Sequence, residues 1–126
     1  MKARIKWTEG MSFAAESGSG HAVLIDGAPE NGGRNLGMRP MEMVLAGAAA
    51  CTAYDVVLIL KRARQPVTDC VVEAEADRAA VEPKVFTRIR LAYTIRSTNS
   101  RANLVFPLYL GNGGNAGSAV IAAPSA

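Results

Sequence analysis

Arg39-Pro40-Met41-Glu42-Met43-Val44-Leu45-Ala46-Gly47-Ala48-Ala49-Ala50-Cys51-Thr52-Ala53-Tyr54-Asp55-Val56-Val57-Leu58-Ile59-Leu60-Lys61-Arg62-Ala63-Arg64 is the stretch on which the fold turns. No proline interrupts it after Pro40. Lys61, Arg62 and Arg64 stand where a helix end is negative, and Pro66 stops it, so one helix over Met41 to Arg64 is predicted. Between Met43 and Leu60 only Thr52, Tyr54 and Asp55 break an apolar surface that runs nearly all round, which requires cover on most sides or insertion in a membrane. Five alanines, Gly47 and a mid-span Asp55 make a poor spanning segment, whereas small residues allow close packing. We therefore expect a soluble protein and no membrane. A helix this apolar needs more cover than one short meander gives, so a homodimer that sandwiches it is expected.

Working outward, Lys2 to Trp7 alternates Lys2, Arg4 and Lys6 with Ala3, Ile5 and Trp7, the period of a strand with one wet face. Ser12 to Glu16 and His21 to Ile25 flank Ser17-Gly18-Ser19-Gly20, where glycines accept positive φ, so a hairpin follows, closed by Asp26-Gly27. Ala28 to Gly37 is rich in Pro, Asn, Gly and Arg, lacks periodicity, and reads as a mobile or functional loop. Past the helix, Cys70 to Asp77 sets Val72, Ala74 and Ala76 on one face against Val71, Glu73, Glu75 and Asp77. Val85 to Ile95 alternates again, with Ile89, Leu91, Tyr93 and Ile95 facing one way and Arg88 and Arg90 the other. The sum is an α+β fold, an antiparallel sheet packed on a long central helix.

Composition narrows the function. At 126 residues the chain is the size of one domain, large enough to bury a core without staples. The net charge is a mild +3, and three Phe, three Tyr and one Trp lie scattered, so no basic-aromatic surface for nucleic acid emerges. Behind Met1-Lys2-Ala3-Arg4 there is no apolar stretch of a secretory signal, which argues for the cytoplasm. Two cysteines and one histidine cannot close a zinc site by themselves. No metal or cofactor is implied, and any chemistry should be thiol chemistry.

The run Arg39 to Cys51, continued by Tyr54-Asp55-Val56-Val57, resembles the helix of the OsmC/Ohr family, particularly its short YhfA-like branch. Arg4-Ile5-Lys6-Trp7, Ser17 to His21, Ile25-Asp26-Gly27, Asp69-Cys70 and Phe86-Thr87-Arg88-Ile89 fall where that branch has similar residues. The resemblance covers about residues 1–95 and implies an intertwined homodimer. In that family a peroxidatic cysteine on this helix attacks the O–O bond of an organic hydroperoxide, and a second cysteine captures the resulting sulfenic acid. The resemblance thus implies Cys51 as nucleophile, with a nearby cation to keep it thiolate. Arg39 is the nearest candidate, with Arg34 behind it, and the family's orienting glutamate makes Glu42 the third candidate.

Two departures matter. Counting from Pro40, the family glutamate falls at Met41, while Glu42 lies nine residues before Cys51, about 180° away on a helix turning roughly 100° per residue. Nothing after residue 95 matches the family's resolving cysteine. Cys70 cannot replace it. Thirteen helical residues carry the chain about 20 Å from Cys51 by Arg64, and a disulfide needs Cα atoms within roughly 7 Å. An external thiol reductant is therefore implied. Residues 96–126 lose periodicity and drift into Arg, Ala, Gly, Pro and Asn, so neither helix nor strand is expected there. We read them as an atypical tail, disordered or the product of a reading-frame change.

Two functions stay open. One is a thiol-dependent peroxidase reducing organic hydroperoxides through Cys51 in oxidative-stress defence. The other is a non-catalytic stress-related binding protein of the same fold, or an inactive remnant. On spacing alone, Cys51 reads as a small buried hydrophobe among alanines, and it is the resemblance that makes it an equal candidate for a working thiol. Cys70 reads as a structural strand residue and His21 as a surface or edge histidine of its strand.

Overall fold

The computed structural model describes residues 1–98 and 101–108. The chain divides into two compact units, Met1–Val44 and Leu45–Ala126.

In the first unit, β1 (Ala3–Glu9), β2 (Ser12–Ser17) and β3 (Ala22–Ile25) form an antiparallel meander in that order. Register places Ile5 against Ala15 and Trp7 against Phe13, with Phe13 in turn against Ile25 and Ala15 against Val23. The alternation read from Lys2 to Trp7 is thus an apolar sheet face and a charged one, the latter carrying an Arg4–Glu16 ion pair at 3.1 Å. On the apolar face Ile5 and Trp7 are 57% and 62% exposed.

The loop after β3, expected from its composition to be mobile or functional, is tied to its own base at several points. Asp26 N–H donates to the Met38 carbonyl, and Ile25 bridges Met38 in parallel. A single 3-10 turn, Pro29–Asn31, folds the middle, and Gly33 N–H and Asn31 N–H both donate to the Ala28 carbonyl. Two glycines permit the closure: a Cβ on Gly33 would stand 1.9 Å from the Gly27 carbonyl oxygen, and one on Gly37 would stand 2.3 Å from that of Leu24.

In the second unit, β4 (Val67–Arg78), β5 (Phe86–Ser97) and β6 (Arg101–Leu108) make an antiparallel sheet in that order. Ile89, Leu91, Tyr93 and Ile95 are buried on one face of β5, as alternation predicts, and Val72, Ala74 and Ala76 of β4 are half-buried. Strand β6 corrects the expectation that no strand follows Arg96. It pairs with β5 from Arg96↔Arg101 to Ile89↔Leu108, with Pro107 opposite Arg90. Proline lacks the N–H of a ladder and reads as a strand breaker, but β6 lies outermost among the three strands, where one missing donor is tolerable. The remaining tail, 109–126, and the disorder expected of it lie outside the described residues.

Helix α1 (Pro40–Arg62) has 23 residues and ends in a Schellman arrangement. Arg64 N–H donates to the Lys61 carbonyl and Gln65 N–H to that of Leu60, both at 2.9 Å. Arg64 takes the left-handed conformation at φ 55°, which disfavours a side chain that brings no compensating gain. Arg64→Gly is therefore expected to stabilise the protein by about 0.5–1 kcal/mol, read as a higher urea midpoint at unchanged slope. A lower midpoint would show that the arginine side chain stabilises more than its backbone strain costs.

Within the second unit, Ala49 is the helix residue buried with Ile89, Leu91 and Tyr93, and Leu45 and Val56 pack against that cluster. The helix expected to be covered on most sides has only Ala49 fully buried, because one sheet covers one face. By length and composition it is the helix, among the described residues, long and apolar enough to cross a membrane. Tyr54 and Ile59 are 70% and 63% exposed.

Candidate functional site

The first unit supplies two of the predicted site residues and brings them together. Arg39 stands at the N-cap of α1 with Pro40 in the first helical position, where a missing N–H costs nothing. Glu42 reaches back so that its Oε2 accepts the Arg39 N–H at 2.9 Å, half of a capping box, while its Oε1 lies 3.5 Å from the Arg39 guanidinium. Glu42 thus contacts both the backbone and the guanidinium of Arg39. Both side chains are about half exposed, so the pair fixes geometry more than it adds stability. Arg34 is engaged elsewhere, its guanidinium 2.5 Å from Glu9 Oε1.

The same unit holds a buried carboxylate that the sequence marked only as part of a turn and of the resemblance. Asp26 is 1% exposed. Its Oδ1 accepts the Gly27 N–H at 2.8 Å, and its Oδ2 accepts the N–H groups of Arg34 at 3.1 Å and Leu36 at 3.2 Å. The buried Ser12 hydroxyl reaches the same carboxylate without full hydrogen-bond geometry. Burial pushes the carboxyl up, but the backbone N–H donors of Leu36, Gly27 and Arg34 together outweigh it and hold the group below its ordinary value of 3.8. Asp-Gly in the sequence signalled only a turn, and the carboxylate's partners come from eight and ten residues on.

A carboxyl depressed in the folded chain contributes stability above its unfolded value, and that contribution is lost as pH falls through the lower, folded one. Amide exchange at Arg34 and Leu36 should accordingly stay protected down to the ordinary carboxylate pKa and fail only below it. Protection lost above that pH would show that Asp26 does not hold the loop.

The second unit holds Cys51, a free and exposed thiol near the middle of α1. Its neighbour Thr52 is half-buried, and two hydrogen bonds meet at Thr52 Oγ1. The Tyr93 hydroxyl donates to it from β5, and it donates to the Ala49 carbonyl at 2.9 Å. Cys70, also free, faces an apolar groove of about 490 Å³ in this unit, lined by Val57 and Leu58 on the helix with Lys61 at its end. Cys51 is not among the lining residues of that groove. Among the described residues no group of three or more His, Cys, Asp or Glu could hold a metal.

An antiparallel sheet backed by one long helix, with a free cysteine exposed mid-helix, defines the class as an α+β thiol protein. The chain belongs to the OsmC-like protein family, whose model matches residues 32–104. It is 46% identical over 95 residues to Protein YhfA of Escherichia coli K12, covering 75% of this chain and 68% of that one. Protein YhfA of Shigella flexneri matches to the same extent. A solved structure from structural genomics superposes with a TM-score of 0.68 at 41% identity, covering 79% of this chain and 71% of its own. Membership supports a stress-related, peroxidase-like role in general terms.

Proposed function

We propose that the protein is a thiol-dependent reductase of organic hydroperoxides, with Cys51 as the nucleophile. The observation that carries this reading is an exposed free thiol at mid-helix in a chain of this family. The Cys51 thiolate attacks the outer peroxide oxygen. Its electron pair forms the S–O bond, the O–O bond breaks, and the departing alkoxide takes a proton to leave as alcohol. The sulfur, oxidised to sulfenic acid, then condenses with an external thiol, releasing water. A second external thiol reduces that mixed disulfide and restores Cys51. In this reading a nearby cation keeps the Cys51 thiol ionised.

The enzyme acts as a cytoplasmic homodimer in this reading. Exposed Tyr54 and Ile59 on the helix, and Ile5 and Trp7 on the meander, supply the apolar surface that a second copy would cover. A monomer mass by sedimentation at micromolar concentration would remove the dimer. The chemistry is tested by dimedone, which traps sulfenic acid. Mild treatment with an alkyl hydroperoxide should label Cys51 selectively over Cys70, and equal or absent labelling would leave the non-catalytic binding protein as the better account.

A further inference from the structure

We infer that Tyr93 and Thr52 are a positioning pair for Cys51, setting by their hydrogen bond the rotation of the helix turn that carries the thiol. The activity side of this inference rests on the function proposed above; the geometric side does not.

A helix that is apolar nearly all round has little difference in polarity between its faces with which to choose a rotation on a sheet. Apolar contact is non-directional. The contact here is made through Ala49, with Leu45 and Val56 beside it, and a face built around alanine offers few ridges to lock into the sheet. A buried hydrogen bond, in contrast, is strongly dependent on distance and angle. Thr52 is the one hydroxyl in the apolar span from Met43 to Leu60 other than Tyr54, and unlike Tyr54 it is half-buried. Its partner comes from the core of β5, where Tyr93 is 3% exposed.

The relay is polarised one way: Tyr93 O–H donates to Thr52 Oγ1, and Thr52 O–H donates to the Ala49 carbonyl. Such chains strengthen each member. The last bond shares a carbonyl already used by the helix, which tends to bend the backbone locally, two residues before Cys51. Thr52 turned toward Tyr93 leaves Cys51, one residue and about 100° away, on the exposed side. Removing the bond leaves the apolar contacts intact but lets the turn sample other rotations.

The test compares the two cysteines of the same unit. Iodoacetamide alkylation of Cys51 and Cys70 is followed by mass spectrometry in the wild type and in Tyr93→Phe, Thr52→Val and Thr52→Ser. Tyr93→Phe and Thr52→Val should lower the Cys51-to-Cys70 rate ratio by roughly three- to ten-fold, the population difference an ordinary net hydrogen bond maintains. Thr52→Ser, which keeps the hydroxyl, should restore it. An unchanged ratio, or parallel changes at both thiols, overturns the inference, since loosening of the whole unit would move both. If Tyr93→Phe does not fold, the near-isosteric Thr52→Val and its serine counterpart decide alone. Hydroperoxide turnover measured alongside should fall with the ratio. Should the wild type show no Cys51-dependent turnover, the proposed reaction fails while the alkylation ratio still judges the pair.

Discussion

If the proposed reaction holds, Cys51→Ser is expected to abolish hydroperoxide consumption, by at least about a thousand-fold in kcat, because an oxygen nucleophile of ordinary pKa cannot attack an O–O bond as a thiolate does. The assay supplies an alkyl hydroperoxide and an external dithiol to the purified protein, with circular dichroism confirming that wild type and variant are equally folded. Cys51 lies exposed on the helix, so loss of its sulfur leaves the core of Ile89, Leu91 and Tyr93 untouched and the comparison clean. Cys70→Ser is the control and should retain turnover, since the proposed cycle draws its second thiol from solution. Turnover that survives Cys51→Ser but is lost with Cys70→Ser would transfer the chemistry to the groove bounded by Val57, Leu58 and Lys61. Loss in both would restore the two-cysteine cycle by pairing between copies.

Gly33→Ala is expected to destabilise the first unit by about 3 kcal/mol, at the upper end of what overpacking costs. The reason is backbone against backbone. The added methyl would sit 1.9 Å from the Gly27 carbonyl oxygen and 2.2 Å from its carbon, and neither can turn aside as a flexible side chain would. Relief requires the loop to open, and opening removes the Gly33 N–H bond to Ala28 and pulls on the Arg34 and Leu36 amides that Asp26 holds. Trp7, the single tryptophan, lies in this unit and reports its unfolding by fluorescence. Gly32→Ala makes a useful contrast: its strain is conformational at φ 84°, while its nearest neighbour would be the Met11 Cγ at 3.7 Å, an ordinary contact. If Gly33→Ala melts no lower than Gly32→Ala, the close approach of residues 27 and 33 is not what closes the loop.

How much of this was legible beforehand follows from where each signal resides. Helix α1 was readable to within two residues at each end because Pro40, Glu42, the terminal basic residues and Pro66 are all local. Strand β5 was readable because a two-residue period in Val85 to Ile95 needs only one covered face. Strand β6 escaped because Pro107 argues against an interior strand, and nothing in the chain itself says that the strand is outermost. The tied loop escaped because its ties are a carboxylate reaching eight and ten residues ahead and glycines whose value is the backbone they let pass.

The candidate site divides the same way. Cys51, Arg39 and Glu42 came from position along the chain, and Glu42 was read as displaced by one residue from the family's glutamate. Tertiary structure added that Glu42 nevertheless grips both the backbone and the guanidinium of Arg39, because an N3 side chain folds back over the helix start. By itself the sequence determined the helix, its all-round apolar character, the alternating faces of the strands and the family. Those depend on local periodicity and residue type, which a chain carries before it folds. Only the tertiary structure decided which helix face meets the sheet, that Tyr93 and Thr52 meet across 41 residues, and that Asp26 gathers three amides. Such choices depend on directional bonds between distant groups, and their partners are defined only when the chain has closed on itself.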